Sequence, residues 1–243
     1  MPDTDHDARP EGGDEPRAFR QHRFTLLPGS TELILVRHGE SEPAVPGRPF
    51  PTVDGHGDPA LSPEGREQAA KVCARLAGED IDAIYVTKLR RTQETAANLA
   101  LTSGLEPIVD PDLHEVHLGE WEGGAFRWHV AEGHPLALRM IEEERWDVIP
   151  GAEPQADFAA RVQRGIDRIA AAHPNRRVAV FAHGGVIGQV LSHATGARGF
   201  AFSGCDNASI SHLVVQGDRW VLRRFNDTTH LDDTLTVAAQ PPT

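Results

Sequence analysis

The chain has 243 residues, enough for one well-cored domain with an inserted subdomain. Its formal net charge of −12 argues against a nucleic-acid or anionic-membrane surface, but not against a small anionic substrate, which responds to the local field of a pocket. A hydrophobic share of 39% is ordinary for a soluble globular protein, and the 2 cysteines, Cys73 and Cys205, cannot build a disulfide framework. No apolar run approaches the about 18 residues of a membrane span. No apolar leader is visible, so a cytoplasmic, reduced setting is expected.

Residues 1–28 mix Asp, Glu, Arg, Pro and Gly without periodicity and are expected to be a disordered tail. Residues 232–243 return to that composition, leaving 29–231 as the domain. Residues 33–36 (Leu-Ile-Leu-Val) read as a short strand buried on both faces, of the parallel-sheet kind. The chain then turns polar at Arg37 and His38, followed by Gly39, which lets backbone pass close to a ligand. Residues 43–59 are rich in Pro and Gly and read as a long irregular loop, a candidate rim. Ser62-Pro63 forms a helix start, and Ala69, Val72, Cys73 and Leu76 repeat at helical spacing, with Cys73 as a small buried hydrophobe.

A second strand is expected at 81–86, leading through Arg90 and Arg91 into another helix, and a short strand at 107–109. Residues 111–150 break this rhythm with Trp121, Trp128 and Trp146 among many charges, which predicts a mostly helical insertion packed by its tryptophans. Phe158, Val162, Ile166 and Ile169 then stripe one helix face, which Pro174-Asn175 ends. Residues 178–182 form another fully buried strand, followed at once by His183-Gly184-Gly185 and an apolar helix to about 194. Residues 209–215 and 220–225 read as a β-hairpin. The fold class is α/β: a three-layer α/β/α sandwich with a mostly parallel central sheet and a mainly helical insertion.

Three strand ends carry groups suited to one anion: Arg37-His38-Gly39, Arg90-Arg91 and His183-Gly184-Gly185. Guanidinium matches phosphate bidentately, helix N-termini favour anions, and histidine can form a covalent intermediate. A carboxyl group is needed to protonate a leaving oxygen, and Glu115 offers one. The 13 histidines invite a metallohydrolase reading, with His114 and His117 three apart and His129 and His134 following. No HExxH, Cys pair or Asp-x-Asp cluster accompanies them, so they are expected to be surface or rim residues, with no metal and no cofactor. Arg127, Arg139 and Arg145 could reach a second anionic group, with a solvated face as their default.

Four motifs in order resemble the histidine phosphatase (phosphoglycerate mutase-like) superfamily over roughly residues 31–227. They are Leu35-Val36-Arg37-His38-Gly39-Glu40, Leu89-Arg90-Arg91-Thr92-Gln93-Glu94-Thr95, Leu113-His114-Glu115 followed by Gly119-Glu120-Trp121-Glu122-Gly123, and Phe181-Ala182-His183-Gly184-Gly185. The resemblance implies His38 as the nucleophile that becomes phosphohistidine. It implies Arg37, Arg91 and His183 as holders of the phosphoryl oxygens, and Glu115 as acid/base. Gly39, Ser41, Arg90 and Gly184 are expected against the substrate, with Arg91 rather than Arg90 matching the family's pocket arginine. Asn207 also matches a family position and is expected to support the site from behind.

Ala44 stands where many members have a phosphate-contacting Asn, and Glu42-Pro43 where mutases carry Trp-Asn. With Gly119-Glu120-Trp121-Glu122-Gly123, this favours the phosphatase branch over phosphoglycerate mutase-type transfer. A catalytically silent phosphoester- or protein-binding domain would be favoured had His38, Arg91, His183 or Glu115 been replaced, and none is. The implied substrate is a small phosphomonoester, with no nucleic acid or membrane partner.

Overall fold

The structure is a computed structural model describing residues 20–231; the expected tail at 232–243 and residues 1–19 of the other tail lie outside them. Residues 20–27 form no helix or strand, but Phe24 lies 3.8 Å beneath the Arg223 guanidinium and the Pro28 carbonyl accepts from Gln216 at 2.8 Å.

In chain order the elements are β1 (Thr31–Arg37), β2 (Thr52–Val53), β3 (His56–Gly57), α1 (Pro63–Leu76), β4 (Ala83–Val86), α2 (Arg90–Ser103) and β5 (Ile108–Val109). The insertion holds α3 (Ala125–Ala131) and α4 (Pro135–Glu143) with short 3₁₀ turns, and α5 (Gln155–Ala172), β6 (Arg177–Ala182), α6 (Gly184–Thr195), β7 (Ile210–Gln216) and β8 (Arg219–Asp227) complete the chain. The central sheet runs β5-β4-β6-β1-β7-β8, parallel from β5 to β1 and antiparallel at β7 and β8. Among the described residues no helix is long and apolar enough to cross a membrane.

Strand alternation divides the core. Leu33 and Leu35 of β1 face one layer with Phe158, Val162, Ile166 and Ile169 of α5 and the apolar side of α6. Ile34 and Val36 face the other, with Val72 and Leu76 of α1 and Ala96 and Leu99 of α2. Burial of β1 on both sides is why it reads as an unbroken apolar run.

Two departures are local. The strand expected from 81 starts at Ala83, because the Asp82 carboxylate is occupied by Arg176 Nη1 at 2.7 Å and the Arg177 amide at 2.9 Å. The loop at 43–59 contains the β2–β3 hairpin, turned at Asp54 (φ 50°) and Gly55 (φ 84°). At the carboxyl end of β1, Gly65 in the first turn of α1 seats that helix directly on the following loop. A Cβ there would lie 1.9 Å from the Glu40 carbonyl oxygen. Ser62 caps the helix, accepting from the Gly65 amide at 3.0 Å.

Candidate active site

His38 follows β1 directly, and its backbone is pinned from three sides. Its amide donates to the Ala182 carbonyl at 3.1 Å, and its carbonyl accepts from the Ala208 amide at 3.1 Å and from Asn207 Nδ2 at 3.0 Å. Asn207 thus supports the site from behind. The His38 ring is fixed by a 2.8 Å hydrogen bond between Nδ1 and the Gly39 carbonyl oxygen. A carbonyl only accepts, so Nδ1 carries the proton and Nε2 keeps its lone pair. Burial, then the charges of Arg91 and Arg37, hold the imidazole well below its ordinary pKa despite the Gly39 hydrogen bond, so the ring is neutral at neutral pH.

His183 joins β6 to α6 and is wholly buried, its ring centroid 5.3 Å from that of His38. Burial first, then Arg91 and His38, depress its pKa as well. Its Nε2 lies 3.2 Å from the Thr87 hydroxyl, while its Nδ1 is buried without a hydrogen-bond partner among the described residues. Arg91, in the first turn of α2, donates to the Gly57 carbonyl at 2.9 Å. Desolvation lowers its pKa to about 10, against the opposing pull of Glu115 and Asp58, and it stays charged at neutral pH. Arg37 donates from Nη1 to the Cys205 carbonyl.

The Glu115 carboxylate accepts from the Val116 amide at 3.0 Å and from the Gly185 amide at 3.1 Å, the latter in the first turn of α6 where helix-end dipoles favour an anion. A Cβ at Gly185 would fall 2.5 Å from Glu115 Oε1, so this approach requires glycine.

Arg37, His38, Arg91, Glu115 and Gly184 all line one cavity, open to solvent. Phe50, Val116, Leu118, Trp121, Phe126, Trp146 and Arg127 line it too. His183 sits against His38 without lining it, and Gly39 and Ser41 act indirectly: Gly39 donates its amide to Thr95 Oγ1 at 3.0 Å, and Ser41 Oγ accepts from Arg127 Nη2 at 2.6 Å.

Arg90, expected against the substrate, is not brought into the cavity. Its side chain is exposed and pairs with Glu94 at 3.3 Å along α2, outside the cavity, because one residue of helix turns the side chain about 100° from Arg91. Arg127 is the converse: with a solvated face as its default, it is half-buried at the cavity, held by Ser41 and by the Glu42 carbonyl at 2.8 Å. The tryptophans also do more than pack, since Trp121 and Trp146 line the cavity.

The expected rim histidines are more enclosed than their spacing suggested. His114 is buried, accepts the Lys88 amide at 3.1 Å, and has its pKa pushed down to about 4, chiefly by burial. His129 and His134 pack against Trp121 with centroids at 4.6 and 5.3 Å. Among the described residues, no three His, Cys, Asp or Glu side chains converge to hold a metal.

Comparison with known proteins shows the family. The chain is 34% identical to phosphoserine phosphatase 1 of Hydrogenobacter thermophilus over 83% of its length and 95% of that protein. It is 31% identical to phosphoglycerate mutase-like protein 4 of Arabidopsis thaliana over 84% of its length and 88% of the relative. Its fold superposes on a mycobacterial glucosyl-3-phosphoglycerate phosphatase with a TM-score of 0.69 at 29% identity, covering 82% of this chain and 100% of that one. The sequence pattern of the histidine phosphatase superfamily (branch 1) matches residues 33–228, and the chain belongs to that family.

Proposed function

We propose that the chain is a metal-independent phosphomonoesterase acting on a small phosphorylated metabolite, with His38 Nε2 as nucleophile and Glu115 as general acid and base. The observation that carries this reading is the bond from His38 Nδ1 to the Gly39 carbonyl, which commits the ring proton and leaves the Nε2 lone pair for attack. In the first half-reaction the Nε2–P bond forms as the bond from phosphorus to the alcohol oxygen breaks, and Glu115 protonates the departing alkoxide. In the second, water attacks phosphorus, Glu115 takes its proton, and the N–P bond breaks to release phosphate and neutral His38.

Arg37 and Arg91 supply the fixed positive charge that a metal would otherwise bring. If the Thr87 hydroxyl donates to His183 Nε2, the partnerless Nδ1 becomes a buried donor that a phosphoryl oxygen completes. Hydrolysis rather than mutase-type transfer is favoured by Glu42-Pro43 and Ala44.

Labelled substrate quenched in alkali during turnover is expected to leave acid-labile, alkali-stable phosphate on the protein. In His38→Ala that label disappears and turnover falls roughly 10⁴-fold or more. Label persisting in the variant sinks the assignment. Dialysis against a strong chelator is expected to leave the rate intact, and a loss restored by zinc or magnesium would overturn metal independence.

A further inference from the structure

The phosphoryl-binding groups occupy only part of the cavity; the rest is bounded by an aromatic wall that the catalytic steps do not use. Phe126 stands between Trp121 and Trp146, with ring centroids 6.3 and 6.0 Å away. Each outer ring is braced from behind, Trp121 by His129 at 4.6 Å and Trp146 by Phe200 at 4.6 Å. Phe50, Val116 and Leu118 extend the same apolar lining. These rings are preformed and held, so seating an apolar group against them costs little ordering.

The polar groups that might serve a charged alcohol are already engaged. Both Glu122 carboxylate oxygens accept backbone amides, from Gly57 at 2.7 Å and Leu118 at 2.9 Å. His56 Nε2 lies 3.1 Å from the Glu115 carbonyl. Arg127 lies over the Phe50 ring, 5.5 Å from its centroid, at the edge where the wall meets the phosphate side, with Nη1 and Nη2 donating to the Glu42 carbonyl and Ser41 Oγ. Ser203 adds a hydroxyl, which suits a neutral group.

We infer that the alcohol half of the substrate is an uncharged, ring-bearing group seated against Phe50, Trp121, Phe126 and Trp146, rather than an amino acid or a glycerate. The inference rests on the phosphomonoesterase reading and adds the substrate class to it. A carboxylate placed against this wall loses its hydration and meets the negative faces of the rings, whereas an ammonium gains a cation–π contact there, so the exclusion rests on the carboxylate that phosphoserine and 3-phosphoglycerate share. The relative named for phosphoserine would then differ from this chain in substrate while sharing its phosphate chemistry.

The test compares four alkyl phosphates, so that an activated leaving group confers no advantage: 3-phenylpropyl phosphate, propyl phosphate, phosphoserine and 3-phosphoglycerate. The phenylpropyl ester is expected to show a kcat/KM roughly 10- to 100-fold above propyl phosphate, as burial of one ring predicts, and above both charged substrates. Phe50→Ala is expected to narrow the phenylpropyl-to-propyl ratio, chiefly through KM. Equal rates for phenylpropyl and propyl phosphate, or a preference for phosphoserine or 3-phosphoglycerate, would overturn the inference and leave the phosphatase reading intact. A tryptophan-fluorescence titration of His38→Ala with the same four compounds separates the two readings. Ring-selective binding without turnover by the wild-type protein would break the catalytic reading and keep the ligand class; binding without ring selectivity would break the ligand class alone.

Discussion

The two sides of the cavity are built by opposite means. The phosphate side is assembled from strand ends and helix starts of the α/β core, where His38, Arg91 and His183 each follow a buried strand by a few residues. The aromatic side comes from the insertion between β5 and α5, whose 3₁₀ turns and short helices carry Trp121, Phe126 and Trp146. The first side concentrates buried charge and backbone amides, and its geometry leaves little freedom, as the glycine at 185 illustrates. The second offers shape and apolar area. A fold arranged this way can keep its reaction while its substrate changes, because altering the insertion leaves the strand ends untouched.

Glu115 is where the two sides meet, and changing it tests whether the chemistry belongs to the core. In the proposed mechanism, attack by His38 expels an alkoxide, a poor leaving group unless protonated as the bond breaks. A positioned acid contributes about 10²–10⁴-fold in such a step, and Glu115→Gln is expected to lose that much on alkyl phosphates. A nitrophenolate leaves without help, so the phosphorylation step with p-nitrophenyl phosphate should be largely spared. Equal losses on both substrates in rapid-quench measurements would mean that Glu115 orients the site rather than donating a proton, and Glu40 and Glu122 would be the next carboxylates to test.

The buried, neutral histidines in and beside the phosphate side also predict a pH dependence of stability that an apolar wall cannot produce. His38 and His183 are held well below the ordinary histidine value, and His114 at about 4. Each binds a proton more readily unfolded, near pH 6.5, than folded. Their contribution is therefore fully present above about pH 6.5 and is lost as pH falls below it toward the folded values, by about 1.4 kcal/mol per pH unit for each histidine. Urea midpoints between pH 7.5 and 5 should fall steadily on the acid side. A flat profile there would mean that these rings are hydrated and that the polar side is looser than its hydrogen bonds indicate.

The same contrast explains what could be read from sequence. The α/β class, the order of elements and the helical insertion follow from apolar runs and spacing, which local sequence records directly. The convergence of His38, Arg91, His183 and Glu115 was legible because three of them follow strands that end on the same sheet edge and Glu115 stands in a recognisable motif. The aromatic wall was not, since a tryptophan in a helical insertion serves packing and binding with the same side chain. Arg127 could not be told from Arg139 and Arg145 in the sequence, because what holds it at the cavity is Ser41 and Glu42, far away in the chain. The β2–β3 hairpin escaped because strands of two residues are too short for periodicity, although Asp54-Gly55 is a turn signal in itself.

The smallest expected effect tests the finest distinction, that between two adjacent arginines. Arg91 points into the cavity, buried beside the Gly57 carbonyl, and removing such a charge from a phosphate site costs about 10²–10³-fold in rate. Arg90 is one residue earlier, yet its guanidinium lies on the exposed face of α2, 3.3 Å from Glu94. Side-chain exposures of 55% and 33% across that pair place it among surface ion pairs, which contribute about 0–1 kcal/mol. Arg90→Ala also leaves the neighbouring bonds in place, because the Arg90 backbone amide still donates to Asp58 and Glu94 still accepts the Leu61 amide. The variant is therefore expected to keep kcat/KM within about twofold and stability within about 0.5 kcal/mol. Steady-state kinetics beside a urea melt would decide it. A loss for Arg90→Ala approaching that of Arg91→Ala would mean that both guanidiniums reach the phosphate when substrate is bound, and that the first turn of α2 rearranges to bring them there.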